Sequence, residues 1–405
     1  MEVNLSSLSR QIETISKLPP EEVSEALSPD AARELRRNLN RLSVALESPG
    51  DIVDRIVYSP LDLVAIRLAV DLGIFKILAD SQEPKSIQQL AGATGADATL
   101  LGRILRLLAS IDAVAEAGPE TYVATKISRA FTTAKGISGA GFFVDCLVHA
   151  WASLPATLAK SHYQNPTDHL HTGLQVGLRT DMHAFEWWSN HPKVFNDFNI
   201  FMTAQREGRA YWLDFYPFEQ KLLAEPRDSE HDILFVDVGG ALGSEIRELR
   251  KRYPALKGRM ILQDRQQTID HVSADSGMEA MVHDFFTPQP VTGARFYYLR
   301  NILHDWPEPL ARLILQHTSS AMTPGTSRLL INELVVPLRG GGPFPPHSDF
   351  NMMSIVAGME RTEAQWKELL GSVGLEILEI WTGDGETESI IEAVAAVRDG
   401  LDVNG

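Results

Sequence analysis

The chain has 405 residues, 44% hydrophobic and 22% charged, with Lys+Arg 37 against Asp+Glu 53 and a formal net charge of -16. That is enough apolar material for two or three packed domains, and the acidic balance disfavours a general nucleic-acid binder, because phosphate neutralisation supplies most non-specific affinity. The single cysteine, Cys146, excludes an internal disulfide framework and a cysteine-rich zinc site. No run approaches the roughly 20 apolar residues of a bilayer span. The first residues lack a basic stretch followed by an apolar block, so no membrane association is expected and the expected compartment is the cytosol.

Residues 1–50 read as two amphipathic helices. Ile12, Ile15 and Leu18 mark the first, and Leu35, Leu39, Leu42 and Leu46 the second. Neither can form a core alone, so both are expected to dock on another domain or on a partner subunit. From Ser59 to Phe131 the pattern is helix, turn, helix and short strand, the outline of a winged-helix module. Such a module either binds DNA or serves as a dimerisation scaffold. Arg67, Lys76, Lys85, Arg103, Arg106, Lys126 and Arg129 face a slightly larger number of acids, which favours the scaffold. Residues 136–225 are helical and rich in aromatics. Such stripes ordinarily pack a core, and the same side chains suit a pocket for a flat apolar ligand. His169 and His171 form a pair without a third ligand at metal-binding spacing, so no metal is expected.

After Asp232 apolar strand-like runs alternate with helices: ILFVDV, RMILQD, MEAMVHDF, RFYYLR and RLLINEL, then LEILEIW and SIIEAVAAV. The first five, separated by helix-length segments, read as a buried parallel sheet of the doubly wound type. The last two are joined by a short polar connection and should pair antiparallel, at or near an edge. The domains expected are a helical arm with a winged-helix-like domain over 1–135, connecting helices lining a pocket over 136–228, and an α/β nucleotide-binding domain over 229–400.

The first strand runs into a glycine turn, FVDVGGALGSEIREL, and then a helix. Ligands of such sheets bind beyond the carboxyl ends of the strands. Gly239 and Gly240 let the backbone turn and approach a ligand closely. No Gly-Lys-Ser/Thr follows, which excludes a P-loop, and Val238 stands where the first glycine of the dinucleotide fingerprint belongs. Asp264 ends the second strand, where an acid accepts from ribose hydroxyls. The site therefore asks for an adenosine-type ligand without a pyrophosphate. Asp284 and Phe285 end the third strand, a carboxylate for an exocyclic amine and a ring to flank adenine. Arg300 ends the fourth, with His304, Asp305 and Trp306 just beyond. An imidazole with a pKa near ~6.5 is suited to proton removal near neutrality.

The strings VDVGGALG, LQD, HDFF, RNILHDWP, LLINELVVP and GMERTEAQW, in this order and spacing, resemble the class I S-adenosylmethionine-dependent O-methyltransferases of the plant caffeate type, above all their fungal secondary-metabolism branch. The resemblance covers nearly the whole chain. It implies a Rossmann-like methyltransferase domain, its mostly parallel sheet carrying one antiparallel strand, behind a winged-helix dimerisation domain, and a homodimer. It implies that Gly239, Gly240, Asp264, Asp284, Phe285 and Arg300 bind S-adenosyl-L-methionine. By the same resemblance His304 deprotonates a substrate hydroxyl, while Glu333 and Glu360 flank it and hold its orientation. Phe143, Trp151, Met202, Asn351 and Met352 become substrate-binding candidates.

Two departures stand out: Gly239-Gly240-Ala241 replaces three glycines, and RQQTID replaces the Leu-Pro usual after Asp264. The expectation is an O-methyltransferase acting on a small aromatic or polyketide-like metabolite. The alternatives are a cofactor-dependent pericyclase or dehydratase on the same scaffold and a winged-helix regulator whose methyltransferase domain senses a ligand.

Overall fold

Two periodicities divide the chain, and the computed structural model shows what each builds. It describes residues 5–16, 18, 22–23, 26–204, 209–224, 232–273, 277–339, 342–383 and 387–396. The amphipathic arm forms α1 (Leu5–Ser16) and α2 (Pro29–Leu46), followed by α3 (Pro49–Asp71). Helix α3 starts ten residues before the boundary expected at Ser59, behind a capping box between Ser48 and Asp51. It continues through Pro60, which has no N–H to donate one turn back. The Ser59 hydroxyl donates to the Ile56 carbonyl instead, at 2.9 Å, and so satisfies the acceptor that the proline deprives.

Beyond α3 come α4 (Ile74–Ala79), α5 (Ile87–Thr94) and α6 (Ala98–Ser110), with β1 (Lys85–Ser86), β2 (Val114–Gly118) and β3 (Thr121–Ala124) in a small sheet ordered β1-β3-β2. Ala69, Ile74, Phe75, Leu90, Leu101, Leu105 and Leu108 fill its core. This is the expected helix-turn-helix with a β wing.

The connecting region is led by α7 (Ala134–Lys160), a 27-residue rod with a π-helical turn at Phe143–Leu147. By length and composition this rod could cross a membrane, which corrects the expectation that no stretch approaches that length. Its Phe142, Cys146, Leu147 and Ala150 are buried against α8 (Gly173–Leu178), α9 (Ala184–Ser189) and α10 (Pro192–Ala204).

The third unit is a seven-stranded sheet of β4 (Ile233–Val238), β5 (Arg259–Asp264), β6 (Glu279–Val282), β7 (Phe296–Arg300), β8 (Arg328–Glu333), β11 (Leu375–Trp381) and β12 (Ser389–Ala395). Its order is β11-β12-β8-β7-β4-β5-β6. The two-stranded pair of β9 (Val335–Val336) and β10 (Arg361–Thr362) lies apart from it. Strands β4 to β8 are parallel, and β12 runs antiparallel to both β8 and β11, as the short connection between the last two required. Side chains alternate between faces: Val236, Val238, Tyr297, Leu299 and Ile331 join one core and Phe235, Phe296, Tyr298 and Leu330 the other. Each such buried side chain stabilises by about 1.5–3 kcal/mol relative to exposure.

Two expectations fail here. Strand β6 is a short, largely exposed edge rather than a buried strand, and the segment between β6 and β7 forms turns instead of a helix. Pro288 and Pro290 remove the backbone donors a helix there would need. Helices α11 (Ser244–Arg252), α12 (Glu308–Ala321), α13 (Phe344–Val356) and α14 (Glu363–Gly371) complete the unit.

Candidate active site

The carboxyl ends of β4, β5, β7 and β8 lie side by side, with Val238 paired to Gln263 and to Leu299, and Arg300 to Asn332. Beyond β4 the chain turns on Gly239 at φ +72° and enters α11 at Gly243, φ +78°. A Cβ at Gly239 would meet Ile302 at 2.6 Å, and one at Gly240 would meet the Asp237 carboxyl at 2.4 Å. The glycines are therefore sterically required. The N–H groups of Gly239 and Gly240 donate to the Gln263 carbonyl at 2.8 and 3.2 Å. Ala241 sits at φ +50°, and its N–H donates to Asp264 Oδ2 at 2.9 Å while Arg265 N–H donates to Oδ1 at 2.8 Å. Asp264 is thus held at the mouth of the glycine turn.

On the β6 side, Asp284 Oδ1 accepts from Phe286 N–H at 3.0 Å and leaves its carboxylate exposed. The Phe285 ring approaches within 3.7 Å of where a Cβ of Gly239 would stand, and it packs edge-on to Trp306 at 6.0 Å. Gly239, Gly240, Asp264 and Phe285 are therefore brought together around the glycine turn, with Asp284 next to Phe285 at the neighbouring strand end. A carboxylate beside the turn for ribose, and an acid and a ring at the next strand end for adenine, fit S-adenosyl-L-methionine.

Arg300 lies further along the same edge. Its guanidinium pairs with Glu245 Oε1 at 3.5 Å and Glu388 Oε1 at 3.2 Å. It walls a small cleft with Arg209, Tyr211, Trp212, Asn332 and Glu388.

His304 occupies a single 3₁₀ turn, Leu303–Asp305, after β7. Its Nδ1 lies 2.8 Å from Glu360 Oε1, and its Nε2 lies 3.5 Å from Asp305 Oδ1. Glu333, at the end of β8, is fully buried and acts on the backbone: its Oε1 accepts from Ile302 N–H at 3.0 Å and Leu303 N–H at 2.6 Å. The two acids thus share the work unequally. Glu360 contacts the ring, and Glu333 holds the turn that presents it.

Burial by itself disfavours the His304 imidazolium, but the Glu360, Asp305 and Glu333 carboxylates outweigh it and raise the pKa to about 10. Burial pushes Asp305 up to about 6 and Glu333 up to about 7, in each case against the pull of His304. The opposite holds for His183, whose burial, aided by His169 and Arg265, lowers it to about 4. The His183 ring is stacked on Trp306 at 5.1 Å and 5°. His169 meets both rings edge-on, and His171 pairs with Asp168 at 2.8 Å.

Two residues without a role in the sequence reading complete the site. Arg361 is fully buried; it donates to Glu308 at 2.8 Å, to the Leu303 and Met359 carbonyls and to the Trp306 carbonyl, and stacks over Trp366. It therefore clamps the backbone on both sides of His304. Gly358 passes so close to that turn that a Cβ would lie 1.9 Å from the His304 carbonyl oxygen, while Met359 N–H donates to that oxygen at 3.0 Å. The Arg361 signal was present in GMERTEAQW, since an arginine between a buried acid and a buried tryptophan has to satisfy several donors internally.

Of the substrate candidates, Phe143 packs edge-on to Trp151 at 5.6 Å, and Trp151 Nε1–H donates to Asn351 Oδ1 at 3.0 Å. Met352, next on α13, packs against the same aromatic core. These four belong to one packed cluster. Met202 is half-buried on α10, whose Phe201 packs against Phe143 at 5.2 Å.

A family model for the O-methyltransferase domain matches residues 224–376, and one for the O-methyltransferase dimerisation domain matches residues 61–134. Methyltransferase cfoC of Aspergillus candidus is 45% identical over 94% of this chain and 95% of its own. Demethylsterigmatocystin 6-O-methyltransferase of Aspergillus parasiticus is 34% identical over 89% and 92%. Among solved structures, LepI in complex with S-adenosylmethionine matches with a TM-score of 0.85 at 29% identity, covering 98% of this chain and 100% of that chain. A structure described as a pericyclic reaction enzyme matches with the same TM-score and identity, over 97% and 100%. With its cofactor-domain fold, its dimerisation domain and these fungal relatives, the chain belongs to the class I S-adenosylmethionine-dependent O-methyltransferase family.

Proposed function

We propose that the protein methylates a hydroxyl of a small aromatic or polyketide-like metabolite, with His304 as general base. The observation that carries this reading is the anchoring of His304 Nδ1 on Glu360 at 2.8 Å. With the Nδ1 proton donated to that carboxylate, a neutral ring holds its lone pair on Nε2. That nitrogen, with Asp305 Oδ1 at 3.5 Å, is the one that would take a substrate proton. Glu333 and Arg361 hold the turn, and Phe143, Trp151, Asn351, Met352 and Met202 offer a wall for a flat acceptor.

Gly239, Gly240, Asp264, Asp284, Phe285 and Arg300 would hold S-adenosylmethionine, which supplies an electrophilic methyl carbon on a positively charged sulfur. The raised pKa of His304 means that the ring is protonated at both nitrogens at neutral pH in the free protein. A positive charge bound beside the ring disfavours the imidazolium and so favours the free base. The protein's own part is then to align the acceptor oxygen in line, exclude water and receive one proton at Nε2. That proton leaves a phenol whose ordinary pKa is near ~10, and the surrounding carboxylates stabilise the imidazolium formed.

The same reading assigns residues 1–135 to a dimerising arm and winged-helix domain, 136–228 to the pocket helices and 229–400 to the cofactor domain. Val53, Ile56, Val57, Leu61 and Val64 are exposed along α3, which supports a homodimer through this face. Cytosolic residence is part of the proposal.

The test is incubation of the protein with methyl-labelled S-adenosylmethionine and a panel of phenolic and polyketide acceptors. Label in the acceptor, with one S-adenosylhomocysteine formed per methyl and loss of transfer in His304→Ala, is the expected result. The likeness to a pericyclic reaction enzyme favours a second reading, a pericyclase or dehydratase. An acceptor converted without consumption of cofactor would establish that reading instead.

A further inference from the structure

Glu360 is gripped at both ends by two consecutive residues of α13. Its backbone N–H donates to Asp349 Oδ1 at 2.9 Å, and its Oε1 accepts from the Ser348 hydroxyl at 2.8 Å. That oxygen is the one 2.8 Å from His304 Nδ1. The other oxygen, Oε2, is buried with no hydrogen-bond partner among the described residues. The last torsion of a glutamate is broad, so the side chain's own preference does not fix the tilt of the carboxylate plane against the imidazole. A hydrogen bond from a hydroxyl to the oxygen that also faces the ring does fix it.

We propose that Ser348 is a positioning residue for the base: its hydroxyl fixes the Glu360 carboxylate against His304, and so ties the ring's orientation to the helix that carries Asn351 and Met352. This rests on His304 acting as the base. Ser348 stands one turn before those two residues on α13, so a movement of the substrate wall is transmitted to the carboxylate directly. The opposite side of the arrangement is rigid, because Gly358, Met359 and Arg361 are packed against the His304 turn. The Ser348 bond is the contact through which α13 reaches the carboxylate.

The charged and titratable groups facing His304 are Glu360 and Asp305 in contact, Glu333 from β8, Asp349 from α13, Arg361 from β10 and Glu308 from α12, with His169 and His183 against Trp306. Ser348 carries no charge, and it acts by sharing the negative charge on Oε1. Its removal leaves that charge wholly to the imidazolium, so the titration of His304 moves to higher pH.

The experiment compares wild type, Ser348→Ala and Ser348→Thr as full-length proteins. Expected for Ser348→Ala is a fall in kcat of about 3–10-fold at pH 7, the size of one hydrogen bond, with KM changed less. The rising limb of the pH profile shifts upward, and Ser348→Thr restores both. In parallel, ¹⁵N NMR follows the His304 ring, assigned with His304→Gln. An upward shift in Ser348→Ala supports the proposal whatever reaction the protein performs. Failure of wild type to transfer a methyl group overturns the functional reading and leaves this measurement standing. Unchanged titration and pH limb overturn the role of Ser348, as does a loss of kcat that follows the thermal midpoint alone and is not rescued by threonine. If Ser348→Ala does not fold, Ser348→Cys keeps the volume with a weak donor and gives the same comparison.

Discussion

Gly358 passes beneath His304 with no room for a side chain: a Cβ would stand 1.9 Å from the His304 carbonyl oxygen, 3.0 Å from its carbonyl carbon and 3.1 Å from the carbonyl carbon of Asp305. The obstruction is backbone, so rotamer changes cannot relieve it. Gly358→Ala must push the 3₁₀ turn or the 358–361 segment aside. Misplacing a catalytic group by about 1 Å costs on the order of 100-fold in rate. The glycine turn after β4 meets this region through the Ile302 and Phe285 side chains rather than through the backbone that the new Cβ would displace. Gly358→Ala is therefore expected to lose about 100-fold in kcat while S-adenosylmethionine binding by calorimetry is nearly unchanged. Equal loss of binding and turnover would show that the two regions move together.

Glu360 raises the pKa of His304 as well as orienting it. Replacing it by glutamine removes the largest raising influence, so the imidazolium is less favoured and its titration falls. A larger share of the ring is then the free base at pH 7, yet an amide presents either its oxygen or its NH2 to Nδ1 and specifies the tautomer poorly. Glu360→Gln is expected to move the rising limb of the pH–rate profile toward acid and to lower the plateau by about 100-fold, within the range for general-base catalysis. A limb that stays in place would mean that another group titrates there.

Glu333 gives a stability signal of definite sign. Burial disfavours the anion and pushes its folded pKa up to about 7, above the ordinary glutamate value of 4.5. The stabilisation is therefore complete below about pH 4.5 and is lost as the pH rises through about 7. Glu333→Gln retains an oxygen for the Ile302 and Leu303 N–H groups and removes the buried charge. Its thermal midpoint should gain on that of wild type between pH 5 and pH 8, by about 2–4 °C, as read by scanning calorimetry. A gap independent of pH would show that Glu333 binds its proton alike in the folded and unfolded chain, with no shift on folding.

Much of this site could be read from strand ends. His304 and Glu333 follow β7 and β8, and parallel neighbours in register, Arg300 with Asn332, necessarily bring their carboxyl ends together. Gly239, Asp264 and Phe285 are readable for the same reason. Ser348 was not, because a serine in a helix carries no motif and its meaning depends on a carboxylate twelve residues on, returned by a turn. The paired state of Arg300 was hidden likewise, since Glu245 and Glu388 lie 55 and 88 positions away. The boundary expected at Ser59 was not there to be read, because α3 runs on through Pro60 with the Ser59 hydroxyl supplying the donor that the proline lacks.

The departure from three glycines is also a prediction about strain. Ala241 is held at φ +50°, a region that costs a residue with a Cβ roughly 1–2 kcal/mol and costs glycine little. The position is kept there by its N–H bond to Asp264, the carboxylate assigned to the ribose. Ala241→Gly keeps that bond and removes the strain, against an entropic cost in the unfolded chain of about 0.4–1 kcal/mol. The net effect is a modest gain, expected as a rise in thermal midpoint of roughly 1–4 °C with cofactor affinity preserved or improved. A lower midpoint with weaker binding would mean that the alanine methyl packs against the bound cofactor and that the strain is offset by that contact.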